Sequence, residues 1–249
     1  MTESAQTSER LVQQPVHRPV HRPVHRPVHI VPPCHEELRE LYRDDHLVVV
    51  DKPAGLLSVP GRHPANFDSA LSRLQAINPE SRVVHRLDMS TSGVMVFALQ
   101  ADSHRALSRQ FQDRLVSKGY TAEVWGIPAE QSGSVNLPLR CDWPNRPKQM
   151  VDHEQGKPAL THYTCINTCT NHQDSSSQNS RVWLEPVTGR SHQLRVHMAE
   201  LGHPILGCEF YAHPEAYEAS ARLHLHATRL TFTHPILKES MTFEVPAPF

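Results

Sequence analysis

No apolar run in the 249-residue sequence approaches the roughly 20 residues that a membrane-spanning helix needs. The N-terminus also lacks the apolar segment of a secretory leader and the amphipathic Arg-rich helix of a transit peptide, and Glu3 and Glu9 sit early in it. Paired cysteines are missing. Cys34, Cys141, Cys165, Cys169 and Cys208 are odd in number, form no CxxC, and offer no His or Cys pair to match the Cys165/Cys169 spacing, so zinc is not indicated. A reduced, cytoplasmic chain is the simplest inference. Neither sign of charge dominates: the formal net charge is −1, which by itself speaks against a nucleic-acid binder.

What is present begins with a repeat. "PVHRPVHRPVHRPVHI" (15–30) carries proline at every fourth position, which removes amide donors and fixes φ, so no helix or central strand is expected. Residues 1–33 are read as a disordered, polyproline-like tail and 34–249 as one folded domain. The tail's His17, His21, His25 and His29 suggest metal binding and its Arg18, Arg22 and Arg26 phosphate contact. The competing reading is a solvated extension, because a flexible segment must be ordered before its histidines converge.

The distribution of charge says more than its sum. Between 82 and 118 six basic residues (Arg82, Arg86, Arg105, Arg109, Arg114, Lys118) face three acids (Asp88, Asp102, Asp113). Arg140, Arg146 and Lys148 follow in "LRCDWPNRPKQ", and Arg190 and Arg195 in "GRSHQLRVH". Each cluster alone reads as a solvated face, Arg105 and Arg109 especially; three of them framing one carboxylate point to a polyanionic ligand.

A pass for periodicity predicts a β-branched strand in 46–61 that breaks at Pro53 and Gly55, then a helix over 69–77 with Leu71, Leu74 and Ile77 on one face. A loop at 85–92 leads to a strand over 93–99. An amphipathic helix over 103–115 turns Ala106, Leu107, Phe111 and Leu115 inward. Strands are expected at 119–126, 159–166, 181–187, 228–233 and 240–245, with a polar insert at 168–180 and a helix over 191–202 closed by Gly202. Adjacent strand pairs mixed with few helices argue for an α+β fold.

Asp88 lies in the turn "DMSTSG", at the mouth of the strand over 93–99. An aspartate before a Ser/Thr cluster can simply cap local amides; the alternative is a carboxylate beside an arginine, serving as nucleophile or base. A resemblance bears on the choice. "HRLDMSTSG" resembles H-R-L-D-x-x-T-S-G, the catalytic signature of the RluA family of pseudouridine synthases. "DDHLVVVDKPAGLLSVPG", "KGYTAEVWG", "TGRSHQLRVHMAELGHPILGC" and "RLHLHATRLTFTHP" are similar to its other segments, in order, so the resemblance runs from about residue 40 to 249. "GLLSVPGR" and "CDWPNRPKQ" look like the dual-specificity branch, which modifies 23S ribosomal RNA and the anticodon loop of tRNA.

The resemblance implies a pseudouridine synthase fold, with a mixed, largely antiparallel sheet flanked by helices and loops. It implies an isomerase that detaches uracil from ribose, turns it and rejoins it through carbon. That chemistry requires no cofactor and no metal, in keeping with a sequence that has no Gly-rich phosphate loop. By position, Asp88 would be the nucleophile, Arg195 its partner, and Tyr120 the residue stacked on the base. Arg86 would fill the gap left by the flipped base, Leu225 would line the pocket, and Arg146, Lys148 and Arg190 would contact RNA. His85 is assigned either to the site or to a structural hydrogen bond. The expected partner is RNA, namely 23S ribosomal RNA and the tRNA anticodon stem-loop, with no membrane and no metal, and the chain acting as a monomer. A single-target enzyme and a non-catalytic RNA-binding protein are the rivals; the second would not need an acid among its cations. A kinase-like reading of "HRLD" fails, since the kinase loop has Asp directly after Arg and a DFG elsewhere.

Overall fold

The computed structural model describes residues 30–170 and 178–249. The repeat assigned to the tail therefore lies outside the described residues apart from its last residue, Ile30. At the margin of the tail, the Val31 amide donates to Asn66 Oδ1 at 3.0 Å.

In chain order the elements begin with β1 (Arg39–Arg43), β2 (Leu47–Lys52), α1 (Ala70–Gln75), β3 (Arg82–Val83), β4 (Ser92–Ala98) and α2 (Ala101–Gln112). Next come β5 (Ser117–Trp125), β6 (Ser132–Asn136), β7 (Leu139–Cys141), β8 (Gln149–Val151), β9 (Leu160–Thr170) and β10 (Gln178–Pro186). The chain ends with α3 (Gln193–Glu200), α4 (Pro214–Glu218), β11 (Leu225–Thr233) and β12 (Ser240–Glu244). One ten-stranded sheet runs β1-β2-β4-β11-β5-β10-β9-β6, with β12 on β11 and β3 on β4, while β7 and β8 form a separate hairpin. Among the described strands every pairing is antiparallel except β4 with β11. The mixed, mostly antiparallel α+β architecture is the expected one.

β2 and β4 read as continuous apolar runs because both of their faces are covered. Leu47, Val49, Val94, Val96 and Ala98 pack with Leu107 of α2. Their neighbours Val48, Val50, Met95 and Phe97 pack with Ala70 and Leu74 of α1 and with Leu87 of the Asp88 loop. A third cluster joins β5, β9, β10 and β11 to Leu194 and Met198 of α3.

The parallel seam sits directly below the Asp88 loop. Gly93 lies at φ +117° opposite Ala227, and a Cβ there would come 2.3 Å from the Ala227 carbonyl oxygen, so a side chain would push the two strands apart.

Several expectations are corrected. α1 ends at Gln75, leaving Ile77 75% exposed, and α2 ends at Gln112, leaving Leu115 69% exposed instead of inward. β9 runs to Thr170 and β10 starts at Gln178, so the two margins of the polar insert expected at 168–180 are strand, and its middle lies outside the described residues. The strands β1, β3, β6, β7 and β8 and the helix α4 were not anticipated. Among the described residues no helix is long and apolar enough to cross a membrane.

Candidate active site

The Asp88 loop is held from both sides by the segment after β2. Ser58 Oγ donates to the Leu87 carbonyl at 2.7 Å and accepts the Leu87 amide at 3.0 Å. On the other side the Gly55 amide donates to the Met89 carbonyl at 2.8 Å. Lys52, wholly buried at the end of β2, donates from Nζ to the carbonyls of Pro53 (2.8 Å), Leu56 (2.8 Å) and Met89 (3.1 Å). Burial pushes its ammonium down to about 7, and the Cys34 and Asp88 charges resist that fall. A turn from the Asp88 carbonyl to the Thr91 amide completes the loop. Asp88 is thus fixed by its two chain neighbours.

α3 brings the counter-charge. Arg195 is buried, with Nη1 3.5 Å from Asp88 Oδ2 and Nε donating to Cys208 Sγ at 3.3 Å. Its guanidinium lies over the rings of Phe210 (5.1 Å) and Tyr211 (5.5 Å). Burial opposes its charge, but Cys208, Asp88 and Tyr211 outweigh that and keep it cationic. An ordinary helix-surface cation is therefore not what this residue is. The loop before α3 is pinned by Gln193, whose Oε1 accepts from Thr188 Oγ1 (2.7 Å) and the Arg190 amide (3.0 Å). Its Nε2 donates to the Leu160 carbonyl and Thr161 Oγ1, both at 3.0 Å, so the side-chain amide is fully satisfied.

These residues open on a cleft of about 1350 Å³. Arg62, Arg86, Arg114, Lys118, Arg146 and Arg190 line its walls, Arg195 lies at its floor, and Asp88 is the one acid among the lining residues. Such a surface suits a polyanion and reserves a single carboxylate. Tyr120 reaches the cleft from β5; burial, and then the Asp88 charge, raise its phenol well above the usual range, and its hydroxyl has no hydrogen-bond partner among the described residues. Leu225, at the start of β11, supplies an apolar wall.

Eight of the nine residues nominated from sequence line this cleft. Arg86 is exposed, and no described residue pairs with it. His85 stacks on Phe111 at 4.5 Å, and its Nε2 accepts the Val96 amide at 3.2 Å, standing in for a strand neighbour of β4. Burial, then the Lys118 charge, push it down to about 3, so its ring is neutral. Arg190 lines the cleft while Nε donates to the Pro158 carbonyl at 3.2 Å. Arg146 rests on the Trp143 ring at 4.3 Å at the tip of the β7–β8 hairpin. Lys148 is the ninth, outside the lining, and Arg140 is occupied by an ion pair with Asp152. Arg105 and Arg109 are exposed and not among the residues lining the cleft, and Arg105 pairs with Asp102. Sequence reasoning missed Lys52, Ser58, Arg62, His192 and Gln193. All five stand inside segments quoted for the resemblance, Lys52, Ser58 and Arg62 in "DDHLVVVDKPAGLLSVPG" and "GLLSVPGR" and His192 and Gln193 in "TGRSHQLR", which was a usable signal.

The site is thus a basic cleft built around one arginine-paired aspartate. The family model for RNA pseudouridylate synthase matches residues 46–200, and the chain belongs to that family: it is an isomerase. The chain is similar to the dual-specificity RNA pseudouridine synthase RluA of Salmonella typhi, at 55% identity over 88% of this chain and 97% of that protein. The protein of the same name from Escherichia coli (strain K12) is 54% identical over the same shares. Among solved structures, human RNA pseudouridylate synthase domain containing 1 superposes with a TM-score of 0.72 at 30% identity, covering 88% of this chain and 86% of that one. Human RNA pseudouridylate synthase domain containing 4 gives 0.66 at 26% identity, covering 84% and 88%.

Proposed function

We propose that Asp88 is the nucleophile of a uridine-to-pseudouridine isomerisation acting on both 23S ribosomal RNA and the tRNA anticodon stem-loop. The observation that carries the chemistry is the single carboxylate at the base of a cationic cleft, 3.5 Å from a buried arginine. The dual substrate range is supported by relatives of that description that match 97% of their length.

In the reaction the C1′–N1 bond of uridine breaks, a C1′–C5 bond forms, the proton on C5 leaves and N1 gains one, so atoms and electrons balance without a cofactor. Asp88 serves attack on the uracil ring or on the anomeric carbon; either needs the carboxylate free on one side and the base held. Tyr120 offers a ring for stacking and Leu225 an apolar edge. Arg86, exposed and next to Leu87, enters the helix where the target base leaves, offsetting the few kcal/mol of unstacking. His85 acts from behind, as a neutral brace between the loop and β4. Every group in this scheme comes from one chain, so a monomer suffices, working on RNA in the cytoplasm.

The test uses ribosomal RNA and tRNA from a strain lacking the gene, incubated with wild type or Asp88→Asn and mapped for pseudouridine. Wild type is expected to restore modification in both RNAs, and Asp88→Asn in neither while retaining RNA affinity within about threefold, since it removes no phosphate contact. Turnover by Asp88→Asn would overturn the mechanism. Restoration in only one RNA would remove the dual substrate range.

A further inference from the structure

His192 occupies a backbone conformation that a histidine seldom adopts, φ +53°, immediately before α3. A left-handed non-glycine residue persists only where its surroundings hold it, and such residues gather at functional sites. Its side chain is only 11% exposed, and its surroundings are specific. The ring lies nearly parallel to Phe210, 15° apart with centroids 5.7 Å distant. Nδ1 stands 2.6 Å from the Tyr211 hydroxyl, and Nε2 stands 3.8 Å from Asp88 Oδ2.

The hydrogen bonds assign the tautomer. The Tyr211 oxygen already accepts the Gln149 amide at 2.8 Å, and burial pushes the phenol up to about 12, so it keeps its proton at neutral pH. The acceptor available to that proton among the described residues is His192 Nδ1. The imidazole proton is therefore on Nε2, which faces Asp88. Burial lowers the imidazole pKa, and the neighbouring Arg195 adds to the fall against the pull of Asp88, so the ring contributes a donor and not a second positive charge. Arg195 approaches the same oxygen, Oδ2, leaving Asp88 Oδ1 without a hydrogen-bond partner among the described residues. A 3.8 Å separation is longer than a hydrogen bond, as is common before substrate tightens a site.

We propose that His192 is a positioning residue, set by Tyr211 in the tautomer whose Nε2–H faces Asp88 Oδ2, so that together with Arg195 it turns Oδ1 toward the uridine. Through the Gln149 amide the same chain of contacts reaches the β7–β8 hairpin, whose tip carries Arg146. RNA held at the hairpin and the orientation of the nucleophile are then parts of one hydrogen-bonded unit. This inference rests on the reading of Asp88 as nucleophile.

The experiment measures kcat and KM on an anticodon stem-loop for His192→Asn, His192→Gln, Tyr211→Phe, the double variant His192→Asn/Tyr211→Phe, and Asp88→Asn. Asparagine tolerates the left-handed backbone but its amide is too short to reach Asp88; glutamine places an amide nitrogen near the position of Nε2. His192→Asn is expected to lower kcat roughly 10- to 100-fold with KM within about twofold, and His192→Gln to recover most of the loss. Tyr211→Phe lowers kcat alone but adds little to His192→Asn, because both act through one contact. Unchanged kcat in His192→Asn, a glutamine no better than asparagine, or additive losses would overturn the inference. Asp88→Asn separates the two readings: if it is inactive while His192→Asn is fully active, only the role of His192 fails, and if it is active the nucleophile assignment fails first.

Discussion

Lys52 illustrates how a residue remote from the chemistry sets it up. A lysine at 0% exposure survives because its three donors meet three carbonyls, two from the loop after β2 and one from Met89, the residue after the nucleophile. Lys52→Met keeps the length of the stem and removes the donors, leaving buried acceptors unpaired. A loss of about 3 kcal/mol is expected in urea unfolding, accompanied by a fall in single-turnover rate, since Met89 and so Asp88 lose an anchor. A rate equal to wild type in a measurably less stable variant would show that Lys52 serves the fold alone. At this scale the sequence was uneven. Asp88, Arg195, Tyr120 and Arg86 were legible because they sit in signatures that resemble those of a family. Lys52 and Ser58 lie in such a segment too, but a lysine ending a strand and a serine in a loop usually face water, and only the folded loops show what they satisfy. His85 was left between two readings, and its bond to Val96 favours the structural one.

The elements that were read correctly are those buried on a face or on both. β2 and β4 were legible as apolar runs, and α2 as an amphipathic stripe around Leu107. The elements that were missed are edges and short ladders. β1 reads "RELYR" and β6 "SGSVN", polar sequences at the two margins of the sheet, where charge and small residues discourage pairing with another chain. β7 and β8 have three residues each, too few for a period to show. Yet this hairpin presents Arg146 to the cleft and turns Lys148 out of its lining, a distinction the run "NRPKQ" does not carry. The two residues are therefore expected to behave differently. Arg146→Ala should weaken RNA binding and reduce the slope of log Kd against log salt by about one phosphate contact. Lys148→Ala should leave the slope nearly as in wild type. Equal losses from both would mean that the RNA extends past the cleft over the outer face of the hairpin.

Across the whole molecule, charge is organised by placement: a chain of net charge −1 concentrates cations in one cleft and keeps several histidines uncharged inside the fold. His197 accepts no charge between Thr161 and the Leu137 carbonyl, and His226 none between Ser92 and the Val245 carbonyl. Burial is the first cause lowering the pKa of each, as it is for His85, which falls to about 3. In the unfolded chain all three titrate near 6.5. Below that pH the unfolded state takes up protons that the folded state refuses, so the stability these sites contribute is complete above about 6.5 and is lost as pH falls below it, for His85 down toward 3. Each site adds a slope of up to about 1.4 kcal/mol per pH unit. The paired carboxylates Asp44, Asp68 and Glu123, held below their ordinary range, add to the loss only near and below pH 4. Melting temperature is thus expected to drop between pH 6.5 and 5, before these paired carboxylates titrate, and His85→Gln, which can still accept the Val96 amide, should flatten that drop. A melting temperature constant from pH 7 to 5 would show that these histidines take up protons without unfolding the sheet. The same result would remove the neutral state on which the bracing role of His85 depends.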